Sequence, residues 1–379
     1  ERELGEADVS TIVAMDHLAV VQFYLGRFIE AETMFRQCLS LLENGHSDHP
    51  KYLGHLAMTL VAQGRYSEAR ELQQEVLDLH RRLLGDDHPK TLAAIHNLGG
   101  TLHDLGLYEQ AEKLRREALN GWRQALGEEH PSTILGIYAV ALDLQGMERY
   151  EEAESLYREG LELSRRVLGP EHDLTLSFSG GLSNAIEMQG RMEEAEELLT
   201  KTLETSTRVL GPRHPDTLYY QLSLASLFSR TGRQQAAAKL YEELLPNLIE
   251  VRGKGHLHTV YAMRGLGAAY GTMRRDDEAI RQYESVIEVG SQSLGGDHWI
   301  IGLAQWNHAQ LLLRMGEHRR GIAACQELVR TQPNNAHAMN GFAWFLATTS
   351  ESEFQDPQEA FRLASRAVEI KPENWSYWD

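Results

Sequence analysis

Histidine, present 17 times in this 379-residue chain, is the residue type that most invites a chemical reading, because neutral imidazole is a common metal ligand. His46 with His49 and His256 with His258 come nearest to a ligand spacing, yet neither pair is joined by the further Cys, His or carboxylate that completes a site. Six of the 17, His256 among them, recur at one place in a repeated motif: His88-Pro89, His130-Pro131, His172-Asp173, His214-Pro215, His256-Leu257 and His298-Trp299. Thr91, Thr133, Thr175, Thr217 and Thr259 follow the first five at a constant three-residue offset, so these histidines read as helix starts and not as ligands. Gly180-Gly181 and Gly265-x-Gly267 follow no strand and fall within helical patterns, which excludes a phosphate loop. The acidic runs Glu151-Glu152-Ala153-Glu154 and Glu193-Glu194-Ala195-Glu196-Glu197 occupy the first turn of a helix, where carboxylates complement the positive end of the dipole. No nucleophile elbow, kinase signature or P-loop is present, so the reading is non-catalytic, with no metal and no cofactor.

The elements behind these residues come from a period. The residue before each "x-aromatic" turn falls at Gly26, Gly64, Gly106, Glu148, Gly190, Gly232, Arg274 and Gly316, one step of 38 and six of 42. Eight residues upstream stands a large-small pair: Leu18-Ala19, Leu56-Ala57, Leu98-Gly99, Val140-Ala141, Leu182-Ser183, Leu224-Ala225, Leu266-Gly267 and His308-Ala309. Five residues downstream stand Ala31, Ala69, Ala111, Ala153, Ala195, Ala237, Ala279 and Gly321. A fixed period of this size marks a repeat architecture in which each unit buries its apolar face against its neighbours.

Each full repeat reads as two helices. In the third, Gly85 stops the preceding helix, and His88-Pro89 starts helix A, which runs to about Leu105 with Leu92, Ile95, Leu98, Leu102 and Leu105 on one stripe. Helix B follows from about Tyr108 to Ala125, with Tyr108, Ala111, Leu114, Ala118 and Trp122 on its buried side, and Gly99 with Ala111 allows a close approach. The first repeat carries Gly5, Asp8 and Thr11 in the corresponding places. The second is shortened around His49-Pro50, so its linker and helix start are expected to deviate. Residues 1–330 hold eight such repeats, and 331–379 a ninth of a shorter type. In the ninth, Asn335-Ala336 opens helix A, Phe342-Ala343 is the large-small pair, Ala360, Ala367 and Pro372 follow, and a polar insertion lies between Thr348 and Pro357. Residues 373–379 begin another helix, and with no initiating Met the sequence reads as an excised part of a longer protein.

Composition narrows the class. With 42% hydrophobic and 24% charged residues the chain can bury a core. A net charge of -18 argues against general nucleic-acid or anionic-membrane binding, which rely on basic surface. Cys38 and Cys325 lie about seven repeats apart, too far to bridge, and fit a reducing, cytoplasmic setting. There is no apolar run long enough for a membrane span and no signal peptide at ERELGEADVS.

Leu-Gly in helix A, then Ala followed four residues later by an aromatic (Ala31 to Phe35, Ala153 to Tyr157, Ala237 to Tyr241, Ala279 to Tyr283), resembles the tetratricopeptide repeat. The 42-residue period with L-G-x-x-H-P-x-T-L is similar to the kinesin light chain type over residues 1 to about 330, and the ninth repeat resembles the ordinary type found in arrays of bacterial multidomain signalling proteins. The resemblance implies an all-α, right-handed superhelical solenoid of about nine antiparallel helix pairs, one elongated array whose inner groove is lined by helix A. It places Tyr219, Arg230, Tyr261, Arg264, Trp306, Asn307 and Arg314 on that lining in repeats six to eight. Guanidinium forks pair with carboxylates and aromatic rings anchor apolar groups, so a protein or peptide segment with acidic and large apolar side chains is the complement. The alternative is that some of these side chains pack between helices or pair with nearby acids. Toward the N-terminus the same positions hold Asp16, Phe23, Tyr24, His96, His103, Asp104, Tyr138, Asn184 and Glu187, an acidic to neutral lining suited to a basic or mixed segment.

Two functions are therefore expected: an interaction scaffold that takes a segment along the groove, or a regulatory region of a larger signalling protein that controls an attached kinase or nucleotide-switch ATPase domain by intramolecular docking or self-association.

Overall fold

The computed structural model describes residues 9–42 and 46–370; Gly5, Asp8, Pro372 and 373–379 lie outside the described residues. Among those described there are 18 α-helices, one short 3-10 turn and no strand. The chain divides into two compact units, Glu1–Ala195 and Glu196–Asp379.

In the first unit the linker between pairs shows what the recurrent histidine does. Helix α4 (Tyr66–Leu84) stops at Gly85, whose φ of 87° is the left-handed conformation only glycine adopts freely. His88 has extended backbone, and its Nδ1 accepts the Lys90 N–H at 3.1 Å. Pro89 takes the first position of α5 (Pro89–Asp104), where no N–H is needed. The buried Thr91 hydroxyl donates back to the Gly85 carbonyl at 2.7 Å. The linker thus satisfies its own polar groups. Thr133 repeats the bond to Gly127 before α7 (Pro131–Gly146), and Thr175 to Gly169 before α9 (Asp173–Met188), each at 2.8 Å. In the second unit Thr259 bonds Gly253 at 2.9 Å before α13 (Leu257–Thr272). The histidine caps continue at His130, His172, His214, His256 and His298.

Within each pair the turn residues read from the sequence are those with positive φ, from Gly26 through Gly316, including the two that are not glycine, Glu148 and Arg274. At Gly106 the chain leaves α5 with the Gly106 N–H on the His103 carbonyl (2.8 Å) and the Leu107 N–H on that of Leu102 (2.9 Å), and α6 (Tyr108–Leu126) then runs back along it.

Packing follows the small and large residues. Ala31, Ala69, Ala111, Ala153, Ala195, Ala237 and Ala279 are fully buried, and Phe35, Tyr157, Tyr241 and Tyr283 are buried four residues beyond four of them. Glycines in helix A make room for these rings: a Cβ on Gly181 would stand 2.6 Å from the Tyr157 ring and one on Gly265 2.5 Å from that of Tyr241. The Gly-x-Gly of α13 is a packing device.

The shortened second repeat deviates as its spacing predicts. α2 (Phe28–Leu41) has 14 residues against 19 in α6, and α3 (His49–Ala62) begins at His49 itself, with Asp48 as a cap that makes no side-chain bond. His46 instead accepts the Asp48 N–H. In the second unit, Asn335 caps α17 (Ala336–Thr348) through the Ala338 N–H. The insertion before α18 (Pro357–Ile370) is pinned by the His318 ring, which lies against Phe345 and Phe354 with Nδ1 3.1 Å from Glu351.

Candidate functional site

An open cavity of about 640 Å³ lies in the second compact unit on helix-A faces. Its walls come from α13, from Tyr283 of α14 (Asp276–Leu294), from Trp306, Asn307, Gln310 and Arg314 of α15 (Trp299–Arg314), and from Trp344, Phe345 and Thr348 of α17. Three of the seven residues expected on the groove, Trp306, Asn307 and Arg314, therefore meet in one place.

Their roles differ from the expectation in detail. Trp306 is only 5% exposed. Its ring fills the space over Gly341, where a Cβ would approach within 2.2 Å, and stands edge-on to His337, so it offers the cavity an edge and not a free face. Arg314 is already paired: its Nη2 donates to Asp276 at 2.6 Å and to the Gly271 carbonyl at 3.0 Å. Asn307 hydrogen-bonds the Tyr283 hydroxyl, which burial pushes up to about 12 against the opposing influence of Arg264, Asn307 and Arg314. The hydroxyl therefore stays neutral at physiological pH.

Tyr261 and Arg264 form a neighbouring pair on α13. The Tyr261 hydroxyl is 3.2 Å from Ser226, and the Arg264 guanidinium lies 5.2 Å from the centre of the Tyr261 ring. Arg264 Nε is buried without a hydrogen-bond partner, and among the described residues no carboxylate pairs with this side chain. Tyr219 and Arg230 sit at opposite ends of α11 (Pro215–Arg230), both exposed and outside the cavity lining. Tyr219 packs against the rings of Tyr220 and His258.

The exposed ring that Trp306 does not supply comes from Trp344, 68% exposed on the cavity wall. It belongs to helix A of the ninth repeat, two residues after Phe342 of that repeat's large-small pair, beyond the repeats six to eight in which the resemblance places the groove residues.

In the first compact unit the expected groove residues separate. His103 is held by Asp143, 2.7 Å from its Nδ1, and lies edge-on to Tyr108. Asp143 is fully buried and also takes Arg115 at 2.7 Å, so His103 is part of a structural ion cluster. Tyr138 packs against Phe178 and Tyr157. Asn184 is half-buried on α9, and Tyr24 is exposed at the end of α1 (Val9–Tyr24), edge-on to Phe23. Asp16 is buried between Lys51 and His55. Three of the expected residues do come together: His96, which lies against Trp122, lines one cavity with Phe23 and Asp104.

The acidic runs have partners that the sequence reading missed. An arginine just before helix B recurs at Arg65, Arg149, Arg191, Arg233 and Arg275. It reaches forward three residues, as in Arg149–Glu152 at 2.6 Å, or back to the preceding helix B, as in Arg191–Glu154 at 2.8 Å and Arg233–Glu196 at 2.6 Å. The recurrence of Arg one residue past the turn was the available signal.

Among the described residues no group of three or more His, Cys, Asp or Glu side chains is placed to hold a metal ion, and no helix is long and apolar enough to cross a membrane.

Family models described as tetratricopeptide repeat match residues 49–114, 91–135 and 175–250, then 11–51, 138–173 and 259–300, and finally 307–374. Three solved structures show the similarity. BtubC (BKLC) from P. vanneervenii is 20% identical with a TM-score of 0.53, over 62% of this chain and 92% of that one. The human IFIT1 dimer with m7Gppp-AAAA is 15% identical with a TM-score of 0.57, over 95% and 77%. The nearly identical TPR-like repeats of a Podosopora anserina putative kinesin light chain are 25% identical, over 55% and 99%, with a TM-score of 0.46. Among curated proteins, none matches.

Proposed function

This chain belongs to the tetratricopeptide repeat family, as an array of the kinesin light chain type and hence a protein-interaction scaffold; from that premise we propose that it is non-catalytic and takes a peptide segment on the helix-A face of its second compact unit. The observation that carries the reading is the juxtaposition at the α15–α17 cavity. Exposed Trp344 and the apolar wall of Leu311, Leu313 and Phe345 adjoin Asn307 and Tyr283, and Tyr283 is in turn influenced by Arg264, whose guanidinium has no acid partner among the described residues.

A segment with one large apolar side chain and a neighbouring carboxylate satisfies both halves. The apolar group displaces water from the cavity, and the carboxylate meets Arg264, whose net worth rises because its Nε is already desolvated. Arg314 contributes less, since a ligand carboxylate would have to compete with Asp276. Tyr219 and Arg230 extend the same face beyond the cavity. Tyr24, His96, His103, Tyr138 and Asn184 belong to a secondary surface, with His103 and Tyr138 acting through packing. A reducing, cytoplasmic setting is part of this reading, in keeping with two free, buried cysteines.

The test is fluorescence anisotropy with a labelled tryptophan-plus-acid peptide. Trp344→Ala combined with Arg264→Glu is expected to weaken binding by about tenfold or more. Unchanged affinity in a variant that keeps its helical signal would overturn the site.

A further inference from the structure

The first compact unit holds a cavity of about 310 Å³ whose chemistry differs from the one above. Phe23 of α1 and Met58, Val61 and Ala62 of α3 make one apolar side. His96, Asn97, Gly100, Thr101 and Asp104 lie along a single face of α5, and Gln73 reaches in from α4. Gln73 is 7% exposed, and its amide oxygen is buried with no hydrogen-bond partner. A buried acceptor left in this state costs about 1–3 kcal/mol unless a ligand supplies a donor.

One charged group in the lining, Asp104, favours a donor that is positive. Burial pushes His96 down to about 4, with Arg115 adding to the effect, so its ring is neutral at physiological pH. Arg115, behind Gly100, is neutralised by Asp143. Asp104 is the one carboxylate in the lining. It stands at the exposed rim, where partial desolvation raises its pKa against the pull of His103 and Arg115, and among the described residues no cation within ion-pair distance balances it.

We propose that this cavity binds a basic side chain, arginine or lysine, of a partner segment, with its aliphatic stem along Phe23, Met58 and Val61 and its cationic head on Asp104 and the Gln73 and Asn97 amide oxygens. The arrangement suits a long side chain with an apolar stem and several donors at its tip. The proposal extends the scaffold reading to the first compact unit and does not depend on the α15–α17 cavity.

The probe is N-acetyl-arginine N-methylamide, titrated to millimolar concentration into the full chain labelled on its methionine methyl groups, with the citrulline analogue as neutral isostere. The Met58 methyl resonance is expected to shift saturably with the arginine probe and not with citrulline, while Met315 and Met339 of the second unit stay in place. Asp104→Asn is expected to weaken the response by about tenfold or more. Asp104 is exposed at the rim, so this variant should retain the fold, checked by circular dichroism; Gln73→Met, which replaces the amide with a thioether of similar size, is the second variant and should weaken it in the same direction. Equal shifts from arginine and citrulline, an unmoved Met58, or unchanged affinity in Asp104→Asn would each overturn the proposal. Loss of peptide binding in Trp344→Ala with an intact Met58 response would leave it standing.

Discussion

Glu148 and Arg274 hold the left-handed turn position that glycine holds at the other six turns, with φ of 59° and 62°. A side chain with a Cβ in that conformation is strained by about 1–2 kcal/mol, part of which glycine would return to the unfolded chain as entropy. Arg274→Gly should therefore raise stability by roughly 0.5–1 kcal/mol, seen as a higher urea midpoint with an unchanged slope; a lower midpoint would mean that the side chain contributes more than its strain costs. The opposite sign is expected at Arg115. Its Nη1 donates to Oδ1 of the fully buried Asp143 at 2.7 Å and to the Ala139 carbonyl at 3.1 Å, and Asp143 Oδ2 has no hydrogen-bond partner. Arg115→Ala strands that carboxylate with His103 alone and should cost about 3–5 kcal/mol, whereas Arg115→Met with Asp143→Leu, which removes both charges, should recover most of the loss. A single variant as stable as the double one would show that the ion cluster is not coupled.

Helix boundaries were legible in the sequence because their causes are local. Gly85 stops a helix through its own φ, and His88, Pro89 and Thr91 start the next through bonds that span at most six residues. What each helix face does is set across repeats, at separations no local pattern reports. Trp306 is buried because Gly341 lies under it, and Arg314 is paired because Asp276 stands one helix away. The sequence therefore put Trp306, Asn307 and Arg314 on one helix face, where they line one cavity, but left open which of them a ligand would find available. Phe178 and Gly160 show how narrow that cross-helix fit is. α8 (Tyr150–Val167) carries Gly160 against the Phe178 ring of α9, and a Cβ there would stand 2.0 Å from Cε1. Gly160→Ala should cost about 1–3 kcal/mol by forcing the ring or the helix aside, although alanine is the better helix former. Adding Phe178→Leu should reduce the penalty of the alanine in a double-mutant cycle; additive losses would place the strain elsewhere.

For the whole molecule the opposing terms meet in its response to acid. The chain carries a net charge of -18, so lowering the pH toward its isoelectric point near 5.4 relieves self-repulsion and by itself would stabilise the fold. Against this stand groups whose folded pKa is depressed. Burial takes His96 and His258 from 6.5 down to about 4, so between those values the unfolded chain binds more protons and stability falls as pH falls. For the well-buried His96 alone the full effect is on the order of 2–3 kcal/mol. Below about pH 4.3, the ordinary glutamate value, a second loss begins. Hydrogen bonds from Arg149, Arg191, Arg233 and Arg275 hold Glu152, Glu194, Glu196 and Glu278 below that range, and their contribution disappears as they protonate. Repulsion between exposed charges is screened within about 8 Å at physiological salt, while a buried imidazole is not. The histidine effect should therefore win: the urea midpoint is expected to fall from pH 6.5 to 4.5, and to fall less in His96→Gln, whatever that variant's stability at pH 7. A midpoint that stays level or rises over this interval would assign control of acid stability to net charge instead.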